Sequence, residues 1–250
     1  MTINIKNFTA KFKTKLNPKA GLIALSTDQT IEQDFNNICK NLPLDIFINR
    51  IHNQNPLTKE NLLKMQDDLE SVANKILPEE KVNAIAYGCT SGTIAIGEEK
   101  VKEKILLAKP GCYVTTPVTS AIKAFKKMNI KKIALFTPYP NAINKTILDY
   151  FTTKNIEVSS FASLNLNLDS EFANVDPNYI LEISSKLETK NADALFISCT
   201  ALPVLDIIDK LEQRIKKPVL SSNQTLIWDT IRSIGYKSSI EGYGKLLSNQ

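Results

Sequence analysis

From residue 20 to residue 235, short apolar runs alternate with longer stretches whose apolar positions recur at helical spacing. Ala20-Gly-Leu-Ile-Ala-Leu25 is apolar throughout and gives way to Ser26-Thr-Asp-Gln-Thr30. That pattern predicts a buried strand, a polar turn able to cap a helix, and a helix over 31–40. A second strand is expected at 45–49, and residues 57–77 carry leucine, valine and isoleucine at the spacing of one helix. Asn83-Ala-Ile-Ala-Tyr-Gly-Cys89 reads as a strand ending in a hydroxyl-rich turn, with a helix from about Thr93 to Leu107. A short strand at 111–114 leads through Thr115-Thr-Pro-Val118 into a helix over 119–128. The second half repeats the order: a strand over 132–136, Thr137-Pro-Tyr-Pro140, a helix over 142–153, a strand over 156–161 and a long polar connection over 162–176. A helix over 177–188 opens with proline at its first position. The strand ending at Cys199, a helix from about Pro203 to Ile215, a strand at 218–220 and a last helix capped by Ser221-Ser-Asn-Gln-Thr225 complete the chain, with Gly235 before a tail.

Strands that alternate with helices of ten or more residues imply an α/β fold with parallel sheets covered on both faces. The spacing also implies an internal duplication. Asp28 and Cys89 are 61 residues apart, and Tyr139 and Cys199 are 60 apart; Cys89 to Thr116 spans 27, and Cys199 to Ser222 spans 23. Three turns in each half thus recur in the same order. Ligands of open parallel sheets sit beyond the carboxyl ends of the strands, where all six turns lie. Two such halves facing each other enclose one cleft. The boundaries read as a leader over 1–19, an N-terminal lobe over 20–130 and a C-terminal lobe over 131–222. A final helix within 223–250 is expected to pack back on the first lobe.

Composition narrows the chemistry. Of the 250 residues, 43% are hydrophobic and 23% charged, ordinary values for a chain that buries a core. The net charge of +5 comes from scattered lysines, so no nucleic-acid face is expected. No apolar run is long enough for a membrane span, and no apolar segment of a secretory signal follows the N-terminal lysines. A cytoplasmic protein with reduced thiols is expected. The only histidine, His52, lies in polar Ile51-His-Asn-Gln-Asn-Pro56 and reads as a surface loop residue. A two-histidine metal site is thereby excluded, and no metal is expected. Gly92 and Gly97 have phosphate-loop spacing, but Glu98 stands where that loop needs lysine.

Of the four cysteines, Cys39 and Cys112 read as core residues without counterparts in the repeat. Cys89 and Cys199 stand at equivalent strand ends, each expected at the first turn of a helix, where free N–H groups and the helix dipole favour a thiolate. The N–H groups of Thr90, Ser91, Thr200 and Ala201, with the hydroxyls of Thr90, Ser91 and Thr200, are placed to stabilise charge on a substrate carboxylate or enolate. Two thiols on opposite walls suit a reaction in which one attacks or deprotonates a carbon and the other delivers a proton. No cofactor is required.

Gly21-Leu-Ile-Ala-Leu-Ser-Thr-Asp-Gln-Thr-Ile-Glu32, Gly88-Cys-Thr-Ser-Gly92, Thr137-Pro-Tyr139, Ser198-Cys-Thr-Ala-Leu-Pro203 and Ser222-Asn-Gln-Thr-Leu-Ile-Trp228 together resemble the Asp/Glu/hydantoin racemase superfamily. Within it they resemble the branch of maleate cis–trans isomerases, arylmalonate decarboxylases and ectoine-utilisation proteins. The resemblance covers residues 20–236. It implies two flavodoxin- or Rossmann-like lobes related by a pseudo-twofold axis, an active site between them, no cofactor and a homodimer or homotetramer. It also implies that Cys89 is the nucleophile, Cys199 its acid/base partner and Tyr139 a substrate ligand. The decarboxylases keep only the second-half cysteine, so the pair argues for isomerisation or racemisation.

One departure bears on substrate. Maleate isomerases place asparagine in the first turn, where this chain has Asp28, and a second family asparagine aligns near Asp169. An amide N–H donates to a substrate carboxylate, whereas an ionised carboxylate repels one. Two aspartates fit a small carboxylic acid that also carries an amine, amide or amidine, as the ectoine-utilisation branch handles. Asp28 also suits a helix cap. The leading expectation is a cofactor-independent two-cysteine isomerase or racemase. Maleate isomerase proper, an arylmalonate-type decarboxylase and a non-catalytic small-molecule binder are the alternatives.

Overall fold

The structure, a computed structural model, describes residues 6–249. Residues 1–5 of the expected leader and residue 250 lie outside the described part. The first half runs β1 (Lys19–Leu25), α1 (Ile31–Cys39), β2 (Asp45–Ile51), α2 (Lys59–Lys64), α3 (Leu69–Asn74), β3 (Ala84–Gly88), α4 (Thr90–Ile96), α5 (Glu98–Ala108), β4 (Tyr113–Thr115) and α6 (Pro117–Lys127). The second runs β5 (Lys132–Thr137), α7 (Asn141–Thr153), β6 (Glu157–Ser163), α8 (Asp169–Ala173), α9 (Pro177–Ser185), β7 (Ala194–Ile197), α10 (Ile208–Ile215), β8 (Val219–Ser221), α11 (Ser222–Ser233) and α12 (Lys245–Ser248).

Each half builds a four-stranded sheet, in the orders β2-β1-β3-β4 and β6-β5-β7-β8. Every strand pair is parallel. The two orders are the same once the second half is renumbered, so the duplication read from spacing is a duplication of topology. The inner strands β1, β3, β5 and β7 are buried nearly end to end, as sheets covered on both faces require.

One helix of each half, α6 or α11, crosses to the other lobe. Phe125 of α6 meets Phe196 of β7 edge-to-face at 5.3 Å and Phe151 of α7 at 6.1 Å. Reciprocally, α11 packs against β3, β4, α1 and α6. Thr115 and Thr230 hydroxyls join at 2.8 Å, and Ser120 donates to Asp229 at 2.9 Å. This exchange holds the carboxyl ends of the two sheets face to face.

Several expected helices differ in their bounds. The one over 57–77 is α2 and α3 separated by a 3-10 turn at Met65–Asp67, where the adjacent poor helix formers Asp67 and Asp68 interrupt the α-helix. The helix after Cys89 starts at once, at Thr90, and is broken at Gly97, whose φ of +95° ends α4 before α5 begins. After Cys199 no α-helix forms until Ile208; Leu202-Pro203 disfavours helical backbone before the proline, and a 3-10 turn at Leu205–Ile207 precedes α10. The polar connection over 162–176 contains α8, which brings Asp169 inward. Residues after Gly235 are more than a tail. Leu246 and Leu247 are buried, and Gly244 N–H donates to Asp209 at 2.6 Å. Among the described residues, no helix is long and apolar enough to cross a membrane.

Candidate active site

Four strand ends and one helix start converge between the lobes. β1 delivers Asp28, β3 delivers Cys89, β5 delivers Tyr139, β7 delivers Cys199, and the start of α8 delivers Asp169. All five are enclosed: Asp28 is 1% exposed, Cys89 and Tyr139 2%, Cys199 3% and Asp169 5%. Thr90, Ser91, Thr200 and Ala201 are buried with them. The structure therefore brings together every residue singled out for this site. His52 is exposed on its loop, and Cys39 and Cys112 are buried elsewhere in the core.

Cys89 is the N-cap of α4, and its sulfur accepts the Gly92 N–H at 3.2 Å. Glycine is needed there. A Cβ on Gly92 would lie 2.7 Å from the Cys89 sulfur and 2.8 Å from the Tyr87 hydroxyl. Gly88 is constrained as well, since its Cβ would stand 2.5 Å from Ile31. The Cys199 sulfur accepts the Ala201 N–H at 3.3 Å, without a helix behind it. This corrects the expectation that both cysteines cap helices: only Cys89 does.

Electrostatics correct a second expectation. Burial pushes the Cys89 thiol up to about 12, against the opposing pull of the Gly92 N–H and the Ser91 hydroxyl. Burial also drives Cys199 well above the usual thiol range, opposed by Tyr139 and the Ala201 N–H. Both are thiols at neutral pH. The helix terminus that favours the Cys89 anion is outweighed by desolvation. Tyr139 lies near both sulfurs, whose charges add to burial in raising its own pKa. Its ring packs edge-to-face on Phe172 at 5.8 Å.

Asp28 performs two tasks. One carboxylate oxygen accepts the N–H groups of Thr30 (2.8 Å) and Ile31 (2.9 Å), capping α1. The other is buried without a hydrogen-bond partner. Burial, with Asp169 as a like charge, raises the Asp28 pKa despite those two N–H groups. Asp169 is raised by burial and opposed by two donors from the first lobe, Thr27 and Asn53. The Asn53 amide donates to it at 3.0 Å and to the Thr27 hydroxyl at 2.7 Å. Asp28 and Asp169 act as like charges on both cysteines, and Asp169 on Asp28. Among the described residues, no cluster of metal-ligating side chains is present.

Other hydrogen bonds tie the turns across the lobes. Thr30 Oγ1 donates to the Ala201 carbonyl at 2.9 Å, Thr90 Oγ1 to Ser222 Oγ at 3.0 Å, and Thr200 Oγ1 to the Gly88 carbonyl at 3.3 Å. Sequence reasoning missed Tyr87, Asn53 and Asn223. Tyr87 had a legible signal, since a tyrosine in a fully buried strand needs a polar neighbour for its hydroxyl. Asn53 lies in a polar loop stretch that carries no local pattern to mark it.

The sequence profile of the arylmalonate decarboxylase family matches residues 54–247. The maleate isomerase of Geobacillus stearothermophilus is 27% identical over 246 residues, which cover 93% of this chain and 98% of that one. The arylmalonate decarboxylase of Bordetella bronchiseptica is 25% identical over 139 residues, covering 54% of this chain and 58% of its own. A cysteine-to-serine mutant of the Nocardia farcinica maleate cis-trans isomerase, solved with a covalently bound succinylcysteine intermediate, superposes with a TM-score of 0.86. It is 19% identical and covers 93% of this chain and 99% of its own.

Proposed function

Because the chain belongs to the arylmalonate decarboxylase family, we propose that it is a cofactor-independent isomerase or racemase of a small carboxylic acid, with Cys89 and Cys199 as its reacting groups. The observation that carries this reading is the pair of thiols on equivalent strand-end turns of two facing lobes. Each sulfur meets one backbone N–H, and Tyr139 lies near both.

In a racemisation, one sulfur as thiolate takes the proton from the substrate's alpha carbon. The electron pair spreads into the adjacent carboxylate as an enolate, and the other thiol returns a proton to the opposite face. The two sulfurs end with exchanged protonation states. In a cis–trans isomerisation, one thiolate adds to an alkene carbon and the other thiol protonates its neighbour. The carbon–carbon bond then rotates, and reversal of both steps releases the trans acid. Backbone N–H groups at the first turn of α4 and the Ser91 hydroxyl hold the substrate carboxylate in either case.

The substrate carries a nitrogen as well as a carboxylate. Asp28 keeps a buried carboxylate oxygen without a hydrogen-bond partner, and Asp169 acts on it as a like charge. An ammonium or amidinium group supplies the missing charge, and the ring-opened derivatives of a cyclic amidine acid fit that description. A second reading, maleate isomerisation, is favoured by the raised pKa of Asp28. When protonated, Asp28 donates an O–H where the relatives' asparagine donates an N–H.

The pH dependence of turnover separates the two. A nitrogen-bearing substrate is turned over better as Asp28 loses its proton, so kcat/KM rises with pH. Maleate turnover falls over the same interval. For both enantiomers of N-acetyl-2,4-diaminobutyrate we expect measurable turnover that drops at least about 100-fold in Asp28→Asn, the scale of a lost charge-assisted contact. The same variant gains activity on maleate. Fast maleate conversion by the unaltered protein, highest at low pH, would defeat the nitrogen-bearing substrate.

A further inference from the structure

The two cysteines are activated by different devices, and the one at Cys199 reaches beyond its own turn. Cys89 has α4 behind it, whereas no α-helix begins within eight residues after Cys199. Beside the Tyr139 hydroxyl, its sulfur meets a single peptide N–H, that of Ala201, at 3.3 Å. That N–H shares a peptide unit with the Thr200 carbonyl. In a planar trans peptide the two point in opposite directions, so whatever holds the carbonyl aims the N–H.

Asn223 holds it. The Asn223 amide nitrogen donates to the Thr200 carbonyl at 2.7 Å and, with its other hydrogen, to Asp34 Oδ2 at 2.7 Å. A carbonyl only accepts, so the amide nitrogen must face it, and Asp34 on α1 braces the amide from behind. Asn223 is 1% exposed, and its own oxygen has no partner. A buried orphan acceptor is costly, which marks the side chain as retained for its donors. Thr30 grips the next carbonyl, that of Ala201, at 2.9 Å, so one peptide of the turn is held by α11 and the next by the first lobe. The repeat sharpens the contrast. Asn223 is the second residue of α11, after the capping Ser221; the second residue of α6, after the capping Thr116, is the buried, apolar Val118. The device exists on one half only.

We propose that Asn223, braced by Asp34, is a positioning residue that locks the Thr200–Ala201 peptide with its N–H on the Cys199 sulfur, and so sets the acidity of Cys199 separately from that of Cys89. The functional meaning rests on the reading of Cys199 as an acid/base partner, but the test needs no substrate. The full-length protein is treated with iodoacetamide at pH 9, and alkylation of Cys199 and Cys89 is followed peptide by peptide by mass spectrometry. The ratio of the two rates cancels any common opening of the cleft. Loss of one hydrogen bond to a thiolate corresponds to about one pKa unit, so the ratio of Cys199 to Cys89 falls about tenfold in Asn223→Ala. It falls several-fold in Asp34→Ala and recovers in Asp34→Asn, whose side-chain oxygen still accepts from Asn223. Should Asn223→Ala fail to fold by far-UV circular dichroism, the isosteric Asn223→Asp and the Asp34 pair carry the same comparison. A ratio unchanged within about twofold in the folded variants would overturn the proposal, as would an equal slowing of both cysteines. Failure of the two-cysteine mechanism would instead appear as turnover persisting in cysteine variants.

Discussion

At the scale of single residues, a sulfur in this enclosure is governed by competition between burial and a few N–H groups. Burial wins at both cysteines, which leaves them protonated near neutral pH and makes each N–H on sulfur valuable. Gly92 shows how tight that arrangement is. A Cβ there would fall 2.7 Å from the Cys89 sulfur and 2.8 Å from both the Tyr87 hydroxyl and the Met65 methyl group. Gly92→Ala therefore displaces the sulfur rather than simply crowding a loop. The expected outcome is a loss of kcat of about 100-fold or more, the cost associated with misplacing a reacting group by an ångström, with far-UV circular dichroism unchanged. Near-normal turnover in Gly92→Ala would show that the Cys89 position is not critical. The residues themselves were legible from the chain, because Cys89, Cys199, Asp28 and Tyr139 stand at matched distances in a repeat. Their protonation was not, since burial depends on the opposite lobe and leaves no mark in the local sequence.

At the scale of elements, each turn is set by the element that follows it, and here sequence reading succeeded unevenly. It placed the strands within a few residues because continuous apolar runs are unambiguous once short helices separate them. It joined α2 to α3 and α4 to α5 because apolar spacing continues through the 3-10 turn at Met65–Asp67 and through Gly97. It set a helix from about Pro203, where a 3-10 turn at Leu205–Ile207 delays the α-helix to Ile208. Buried charge on α1 carries a prediction at this scale. Burial raises Asp34 from 3.8 to about 8, against the opposing Asn223 amide. Between those values the folded protein keeps a proton that the unfolded chain releases, so this group's contribution to stability falls as pH rises from about 4 to about 8. Asp28 and Asp169 are raised as well and add in the same sense. Urea unfolding at pH 5 and pH 8 is expected to show a smaller loss of stability in Asp34→Asn than in the unaltered protein. Equal losses in the two would show that Asp34 is ionised in the folded state throughout.

At the scale of the whole molecule, two copies of one α/β plan exchange α6 and α11 and close on a shared enclosure. Neither half has a complete site. Lobe one supplies Asp28 and Cys89, lobe two supplies Tyr139, Asp169 and Cys199, and Asn53, Thr30 and Asn223 stitch the turns together across the boundary. The repeat implies this division, because equivalent strand ends must meet for a duplicated parallel sheet to share a ligand. The cross-lobe hydrogen bonds could not be read that way: Asn53 and Asp169 are 116 residues apart and meet only after both lobes have folded.

The central claim is that both sulfurs react with one substrate, one as thiolate and the other as proton donor. Proton NMR in D2O tests it directly, with maleate and each enantiomer of N-acetyl-2,4-diaminobutyrate as probes and the unaltered protein, Cys89→Ser and Cys199→Ser as catalysts. The account predicts turnover of at least one probe with deuterium entering at the reacting carbon, and a loss of product formation of about 1,000-fold or more in each serine variant. Product formation at a near-normal rate in either variant would contradict it.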